Sequence, residues 1–264
     1  MAKYLRSPVP TRADALPSYL KPELQRIQAA ITAVSAEAQG SDPALAPIGT
    51  EVALYSDEFN AATLNTTDQW SWLNQGTSTE ALWQGRLIFS GQASGGAGHR
   101  VAALVQTVPS GSWTIRTRVA NYSTLANQMG GLFAYRSTSG DFVTHETLVR
   151  VAPPVSGPFS SQWAGTYWTD FTTPSVNFFG AVNVEGDGRE AFFQLRYDGT
   201  NFLADYSPDN VQFVNLGTVT AATAIGGAPT SFGLFVNGIG VTPGAVLGFD
   251  WFRCYANSTI NQGP

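Results

Sequence analysis

The sequence predicts a mostly β protein, a β-sandwich or jelly roll preceded by an extended arm and one short α-helix. After Asp57, short strand-like segments recur between turns rich in Gly, Pro, Asn and Asp. Between Leu20 and Val34, apolar residues follow the alternating four-and-three spacing of a helix with one narrow apolar stripe. The predicted parts are a docking arm (1–16), a helical assembly segment (17–39), a linker (40–51), the β-sandwich (52–258) and a tail (259–264).

The arm contains Pro8 and Pro10 and the basic residues Arg6 and Arg12, without apolar periodicity. A segment of this kind cannot bury itself against its own chain. We therefore expect it to be disordered or to dock on a partner.

The helical segment predicts an assembly device. Pro22 and Glu23 suit a first helical turn, and we expect the helix to end near Gly40. Because so short a helix is marginal alone and isoleucine occupies both seam positions, we expect three or more copies, most simply a homotrimer. The alternative is an amphipathic helix lying on its own domain. The seam is Leu20, Leu24, Ile27, Ile31 and Val34.

Strand patterns begin after the linker, which Pro43 and Pro47 mark. In Trp113–Val119, apolar and polar residues alternate, which predicts one buried and one solvated face. Asp198-Gly199 between two strand patterns predicts a tight hairpin turn. The predicted strands are 87–89, 102–106, 113–119, 131–135, 142–150, 191–197, 201–206, 211–214, 231–236 and 245–255.

The charge balance argues against a nucleic-acid partner. The 264 residues carry a formal net charge of -5, only 12% are charged, and both lysines, Lys3 and Lys21, precede the β region. Such a chain does not neutralise a phosphate backbone. Affinity for a ligand would have to come from stacking, hydrogen bonds or shape.

A single cysteine, Cys254, excludes an intrachain disulfide, and its strand pattern predicts a buried, inert thiol. Neither His99 nor His145 has a nucleophile motif around it, which argues against a catalytic thiol. The first residues lack the apolar stretch of a secretory signal, and no apolar run approaches the ~20 residues that span a bilayer. We expect synthesis in a cytoplasm and no membrane insertion.

Several segments of the β region share the pattern of a known family. Asp57–Asn60 with Trp70–Trp72 has the pattern of an opening strand, and Gln106–Trp113 that of a polar loop entering an outward strand. Phe193–Phe213 contains a strand, an Asp-Gly turn, an aromatic strand, then Tyr-Ser-x-Asp and an aromatic. Phe249–Arg253 has the pattern of a closing strand. Together they resemble the concanavalin A-like lectin/glucanase sandwiches, in the branch of small modules seen beside glycosidases.

This resemblance covers roughly residues 52–256 and implies a concanavalin A-like jelly roll. It says little about function, because one fold serves many functions. Asn210 stands where the family pattern has Gly.

The N-terminal segment has its own resemblance. Pro8–Pro10, Leu16–Leu20 and Glu23–Gln28 look like the head of tailed-bacteriophage structural proteins. Such segments attach fibres, spikes or capsid appendages to a particle. The resemblance implies a virion location and contacts with tail, portal or capsid proteins.

Acidic residues do not form a recognisable catalytic set. Glucanases of this fold place Glu, Asp and Glu at alternating positions of one strand, and the sequence has no such triplet. Asp57 and Glu58 are adjacent, so in a strand they point to opposite faces. Asp57 and Asp250 are a candidate Ca²⁺ pair, although capping or turn hydrogen bonds explain them equally well. No other cofactor is predicted.

Aromatic residues supply the candidate binding surface. Residues 151–177 read as an inserted loop rich in Pro, Ser and Thr, and its aromatics would either stack on sugars or pack between subunits. These aromatics are Trp163, Tyr167, Trp168 and Phe171. Four further tryptophans in strand patterns are predicted to lie in the core: Trp70, Trp72, Trp113 and Trp251.

The sequence thus favours a non-enzymatic virion structural protein of a tailed bacteriophage, namely a tail fibre, a spike-like appendage or a capsid decoration. The arm and helix would attach and oligomerise it, and the outward β-sandwich would bind cell-surface glycans. The alternatives are a carbohydrate-binding module without particle attachment and a glycosidase.

Overall fold

The computed structural model describes residues 50–67, 69–91, 98–123, 128–149, 161–184, 190–238 and 244–256. The arm, the helical segment with its seam residues, most of the linker and the tail lie outside these residues. Their organisation stays a prediction.

The described residues form fifteen β-strands, a 3-10 turn at Ala53–Tyr55 and one short helix, α1 (Ala221–Ile225). None of the helices described is long and apolar enough to cross a membrane. The strands are β1 (Thr50–Glu51), β2 (Ser71–Leu73), β3 (Thr79–Trp83), β4 (Arg86–Ser90), β5 (Val101–Thr107), β6 (Trp113–Asn121), β7 (Met129–Tyr135), β8 (Phe142–Val149), β9 (Ser161–Asp170), β10 (Thr173–Val184), β11 (Glu190–Tyr197), β12 (Asn201–Ser207), β13 (Val214–Thr220), β14 (Ser231–Asn237) and β15 (Val246–Ala256).

The strands pair into two antiparallel sheets. The eight-stranded sheet has the order β13-β12-β11-β6-β15-β4-β3, with β1 also paired to β15. The seven-stranded sheet has the order β10-β9-β8-β7-β14-β5-β2. The predicted mostly β sandwich is therefore confirmed.

Alternate residues of both sheets point into one shared core. In β6 the inward side chains Trp113, Ile115 and Val119 are fully buried, while Arg116 and Arg118 between them are half-buried. β14 contributes further apolar side chains to the same cluster from the other sheet. Each large side chain buried in this way contributes about 2 kcal/mol.

The hairpin between β11 and β12 has the predicted Asp-Gly turn. Gly199 has a φ of 97°, and one oxygen of Asp198 accepts hydrogen bonds from the backbone N–H groups of Thr200 and Asn201 at 2.8 and 2.6 Å. Asn210 has a φ of 63°. Asn tolerates this left-handed region better than most residues, which explains how it stands where the family pattern has Gly.

Two local predictions are wrong. The part of the predicted loop 151–177 that the structure describes forms β9, a turn and the start of β10 rather than an insertion. Its Ser and Thr content suggests a loop, but the strands lie at a sheet edge, where polar side chains on one face reach solvent. Residues 211–213 lie outside any strand, and β13 begins only at Val214.

Candidate functional site

The outer face of the eight-stranded sheet carries a row of polar side chains that runs across five strands. Residues directly opposite each other in the pairing register are Arg253, Arg116, Gln194, Asp205 and Asn215, on β15, β6, β11, β12 and β13. Side chains in such positions are close enough to bond across the strands. Pairing therefore assembles this row from distant parts of the sequence.

Asp205 organises one half of the row. Its buried carboxylate accepts hydrogen bonds from Gln194 Nε2 at 2.6 Å and Asn215 Nδ2 at 2.8 Å. Arg196 binds it through two nitrogens, with Nε 2.6 Å from Oδ2 and Nη2 2.9 Å from Oδ1. This two-point pairing fixes the guanidinium, so the amide and carboxylate positions of the row are rigid.

Arg116 lies at the centre of the face. Its Nε donates to Gln194 Oε1 at 2.5 Å, and its guanidinium carbon is 4.0 Å from the ring centre of Phe213 and 5.6 Å from that of Tyr255. Burial lowers the pKa of Arg116 to about 10, which leaves it charged at neutral pH. Within the part of the chain that the structure describes, no carboxylate forms an ion pair with it.

A second arginine–aromatic group lies beside the first. Arg118 pairs with Glu190 and, at 2.7 Å, with Asp250, and its guanidinium carbon is 5.8 Å from the Phe192 ring centre. The rings of Phe192 and Trp251 stack with centres 6.2 Å apart. Arg253 lies 4.8 Å from the Trp251 ring centre.

We call this surface the arginine–aromatic face: Arg116, Arg118, Phe192, Arg196, Phe213, Trp251, Arg253 and Tyr255. All eight side chains are partly exposed. Half-exposed rings offer flat apolar surfaces, while guanidinium and amide groups between them offer hydrogen bonds in fixed directions. A surface of this kind can bind a ligand that has both apolar faces and hydroxyl groups.

Trp251 reaches this face through a β-bulge, contrary to the prediction that it lies in the core. The pairing of β15 with β6 shifts register between Phe249 and Phe252, so Phe249 and Phe252 both point inward. The carbonyl oxygen of Trp251 at the bulge accepts a hydrogen bond from Thr117 Oγ1 at 2.6 Å. The extra residue turns Trp251 outward. Trp70 and Trp113 are buried as predicted, and Trp72 packs partly buried against the core.

The four aromatics predicted as a loop surface are distributed differently. Trp163 is buried in the core between the sheets, and Tyr167 packs against that core. Trp168 is buried in a second apolar cluster on the other side of the seven-stranded sheet, with Phe171 packed against it. Trp163 and Trp168 are each less than a tenth exposed, so neither offers a stacking surface.

The candidate calcium pair has protein partners instead. Asp57 bridges to Phe252, which places it beside β15, and its carboxylate accepts from Phe59 N at 2.8 Å and Trp70 Nε1 at 2.9 Å. Asp250 pairs with Arg86 at 2.8 Å and with Arg118. Two guanidinium groups beside Asp250 repel a cation, which argues against the predicted calcium pair. Asp57 instead caps a turn, and Asp250 is an ion-paired carboxylate. No group of three or more metal-ligating side chains occurs among the described residues.

A second polar group, which we call the Glu146 cluster, is buried in the seven-stranded sheet. Glu146 accepts hydrogen bonds from Thr144 Oγ1 at 2.8 Å and Thr166 Oγ1 at 3.0 Å. Trp168 Nε1 donates to Thr144 Oγ1 at 3.2 Å, and Asn177 Oδ1 is 2.9 Å from Thr166 Oγ1. Burial raises the pKa of Glu146 to about 7, so this carboxyl group is partly protonated at neutral pH.

His145, the preceding residue, points to the opposite side of β8. Its Nε2 is 2.8 Å from the backbone oxygen of Asp205, so it links the two sheets, and its ring stacks on Phe193. Burial lowers the pKa of His145 to about 4. Cys254 is fully buried, as predicted, and burial raises its thiol pKa to about 12.

Comparisons with known proteins establish the fold and no family. No protein-family model matches the chain, and no curated protein sequence does. Among solved structures, the GH43 BlXynB protein from Bacillus licheniformis superposes with a TM-score of 0.55 at 15% identity, over 78% of this chain and 40% of that one. A xylan β-1,4-xylosidase from Bacillus halodurans gives 0.55 at 12% identity, over 76% and 39%.

An endo-β-galactosidase from Clostridium perfringens that releases GlcNAcα1-4Gal gives a TM-score of 0.51 at 11% identity, over 81% of this chain and 64% of that one. The chain thus spans less than half the length of the first two structures. At these identities, the likeness extends to the β-sandwich fold alone.

Proposed function

We propose that the β-sandwich is a non-catalytic glycan-binding domain whose ligand face is the arginine–aromatic face. The observation that carries the proposal is the β-bulge in β15, which turns Trp251 out of the core and stacks it with Phe192 beside Arg253. The bulge thus sets a partly exposed indole ring beside a second ring and a guanidinium, which form an apolar platform with hydrogen-bond donors at its edge. Sugar rings have apolar faces that fit such a platform.

Within β8 and β9, the Glu146 cluster does not supply the carboxyl pair of a glycosidase. Hydrolysis requires two carboxyl groups about 5–10 Å apart. Glu146 pairs in register with Ala164, and the next acidic residue along β9, Asp170, lies six residues further on, about 20 Å away at the usual rise of a strand. Both carboxyl oxygens of Glu146 also accept hydrogen bonds from threonine side chains of the same sheet.

We further propose that the whole chain is a structural protein of a bacteriophage virion, a tail fibre, spike-like appendage or capsid decoration. This rests on the arm and seam of the N-terminal segment. Several copies joined there would present several sandwiches together, and weak binding at each would sum by avidity.

A glycan array with matched variants tests the binding proposal. We expect the wild-type chain to bind a subset of glycans and Trp251→Ala to bind them at least tenfold more weakly, because it removes the stacking platform. Trp83→Ala is the control, since Trp83 is 59% exposed on β3, which lies at the end of the same sheet and is separated from β15 by β4. Equal loss in both variants, or hydrolysis of the arrayed glycans, would contradict the proposal.

A further inference from the structure

Arg116 and Arg253 face each other directly across β6 and β15. Side chains in such a pair have Cβ atoms about 5 Å apart, and like charges directly opposite are destabilising. The sheet therefore sets two arginine side chains on the same face with their Cβ atoms adjacent.

Among the described residues, only one member of the pair has a carboxylate in direct contact. Arg253 Nε lies 2.9 Å from Glu58 Oε1, and Glu51 on β1 also attracts it. Arg116 donates its Nε to the neutral amide of Gln194. Among the described residues, no carboxylate pairs with Arg116 and none accepts from its Nη groups. Arg116 is thus the member of the pair without a directly bonded carboxylate, although Asp205 attracts it through space from beyond Gln194.

The surroundings of Arg116 fit the carboxylate of a sugar better than a small ion. Phe213 covers one face of its guanidinium at 4.0 Å, and Tyr255 lies near it at 5.6 Å. An in-plane carboxylate can accept two parallel hydrogen bonds from a guanidinium, and a half-buried cation gains more from an anion than an exposed one. The adjacent Trp251 would then receive the apolar face of the same sugar ring.

We propose that Arg116 and Arg253 bind the carboxylate of an acidic sugar, so that the ligand is a glycan with uronic or sialic acid units. This inference rests on the proposed function, because it names the ligand class of the same face. The ligand's negative charge would lie between two positively charged side chains and supply Arg116 with a directly bonded carboxylate. Binding would therefore be selective for the charged sugar over its neutral counterpart.

Calorimetric titration of the full chain tests this with two matched pairs of probes. One pair is sialyllactose and lactose, and the other is trigalacturonic acid and its methyl ester, so the two pairs separate the two sources of carboxylate. We expect the acidic member of at least one pair to bind at least tenfold more tightly, with an advantage that shrinks at high salt. Arg116→Gln should abolish that advantage, so that the acidic probe binds no more tightly than its neutral counterpart.

Two variants keep the result interpretable. Arg86→Gln is the control, because it removes a charge from the same sheet while Asp250 keeps Arg118 as a partner. Arg116→Lys keeps the charge but not the two-point geometry, and we expect at least threefold weaker binding of the acidic probe. If Arg116→Gln does not fold, the test rests on Arg116→Lys. Wild-type affinity of Arg116→Lys for the acidic probe would then overturn the inference.

The outcomes separate the two proposals. Equal binding of acidic and neutral probes overturns the carboxylate inference and leaves a glycan-binding face in place. If the wild-type chain binds neither these probes nor any glycan on an array, both proposals fail. Loss of selectivity in Arg116→Gln with retention in Arg86→Gln supports the inference.

Discussion

Glu146 and His145 are consecutive residues whose burial has opposite effects on stability as the pH changes. Glu146 has its pKa raised to about 7, so its neutral form stabilises the fold below its ordinary pKa, and this contribution is lost as the pH rises to 7. His145 has its pKa lowered to about 4, so its contribution is gained as the pH rises from 4 to 6.5. Between about 4.5 and 6.5 the two slopes oppose each other.

The first prediction concerns Glu146→Gln. This change removes the contribution of Glu146, which decreases as the pH rises, and keeps the contribution of His145, which increases. The free energy of unfolding of the variant should therefore increase by about 3 kcal/mol between pH 4.5 and 6.5. The wild-type protein should change little over the same range. Urea unfolding at several pH values measures both curves. Parallel curves for the two proteins would contradict the assignment of these pKa shifts.

The sequence predicted little at this scale. A lone Glu inside Phe142–Val149 gives no sign of the two threonines and the tryptophan around it, because they come from β8 and β9 and meet only through strand pairing. Cys254 was different: alternation within its own strand was sufficient to predict burial.

At the scale of the element, strand β15 shows what local alternation can and cannot predict. Its existence follows from the apolar and aromatic pattern, but its bulge depends on how β6 pairs with it. Trp251 was therefore assigned to the wrong face. Strands β9 and β10 were missed for a related reason, since a polar edge hairpin resembles a loop in composition.

The second prediction concerns the polar side chains that bond to one another across β11, β12 and β13. Asp205→Asn leaves the guanidinium of Arg196 without its carboxylate and turns charged hydrogen bonds from Gln194 and Asn215 into neutral ones. We expect the free energy of unfolding to fall by about 3 kcal/mol. Asp209→Asn is a control, because Asp209 is exposed and bonds only within its own turn.

A loss in Asp205→Asn no larger than that in Asp209→Asn would mean that the network does not hold these strands. Denaturant midpoints of the two variants provide the comparison.

The third prediction concerns the packing of β9 against β10. A Cβ on Gly165 would lie 2.2 Å from Cε1 of Phe179 and 2.4 Å from Cζ of Phe178. Phe179 is buried and Phe178 is packed against the core, so the two rings cannot both move away, and Gly165→Ala should lower the free energy of unfolding by about 2 kcal/mol. Gly98→Ala is the control, since no atom lies within 4 Å of its added Cβ. Equal midpoints of thermal unfolding for the two variants would contradict the packing of this hairpin.

For the whole molecule, the sequence predicted the architecture better than the site. Repeated strand patterns and the Asp198-Gly199 turn were sufficient for an antiparallel sandwich, because burial alternates along each strand. The arginine–aromatic face joins residues from β6, β11 and β15 with Phe213, which lies just before β13. Neither register nor a bulge is encoded locally, so this face was not predictable from any one segment.

The fourth prediction concerns the helical segment. Deleting residues 1–39 should leave a folded β-sandwich that no longer oligomerises, because the seam from Leu20 to Val34 is removed. Analytical ultracentrifugation of the full and shortened chains tests this. A shortened chain that stays trimeric would assign assembly to the sandwich instead.

Hydroxyl-radical footprinting with and without a bound glycan tests the central claim most directly, because it reports solvent access to individual side chains. Our account predicts that a saturating glycan lowers the oxidation of Trp251, Phe192 and Tyr255, whereas the exposed Trp83 stays equally reactive. Protection confined to the seven-stranded sheet, with Trp251 and Phe192 unchanged, would contradict the claim that the arginine–aromatic face binds glycans.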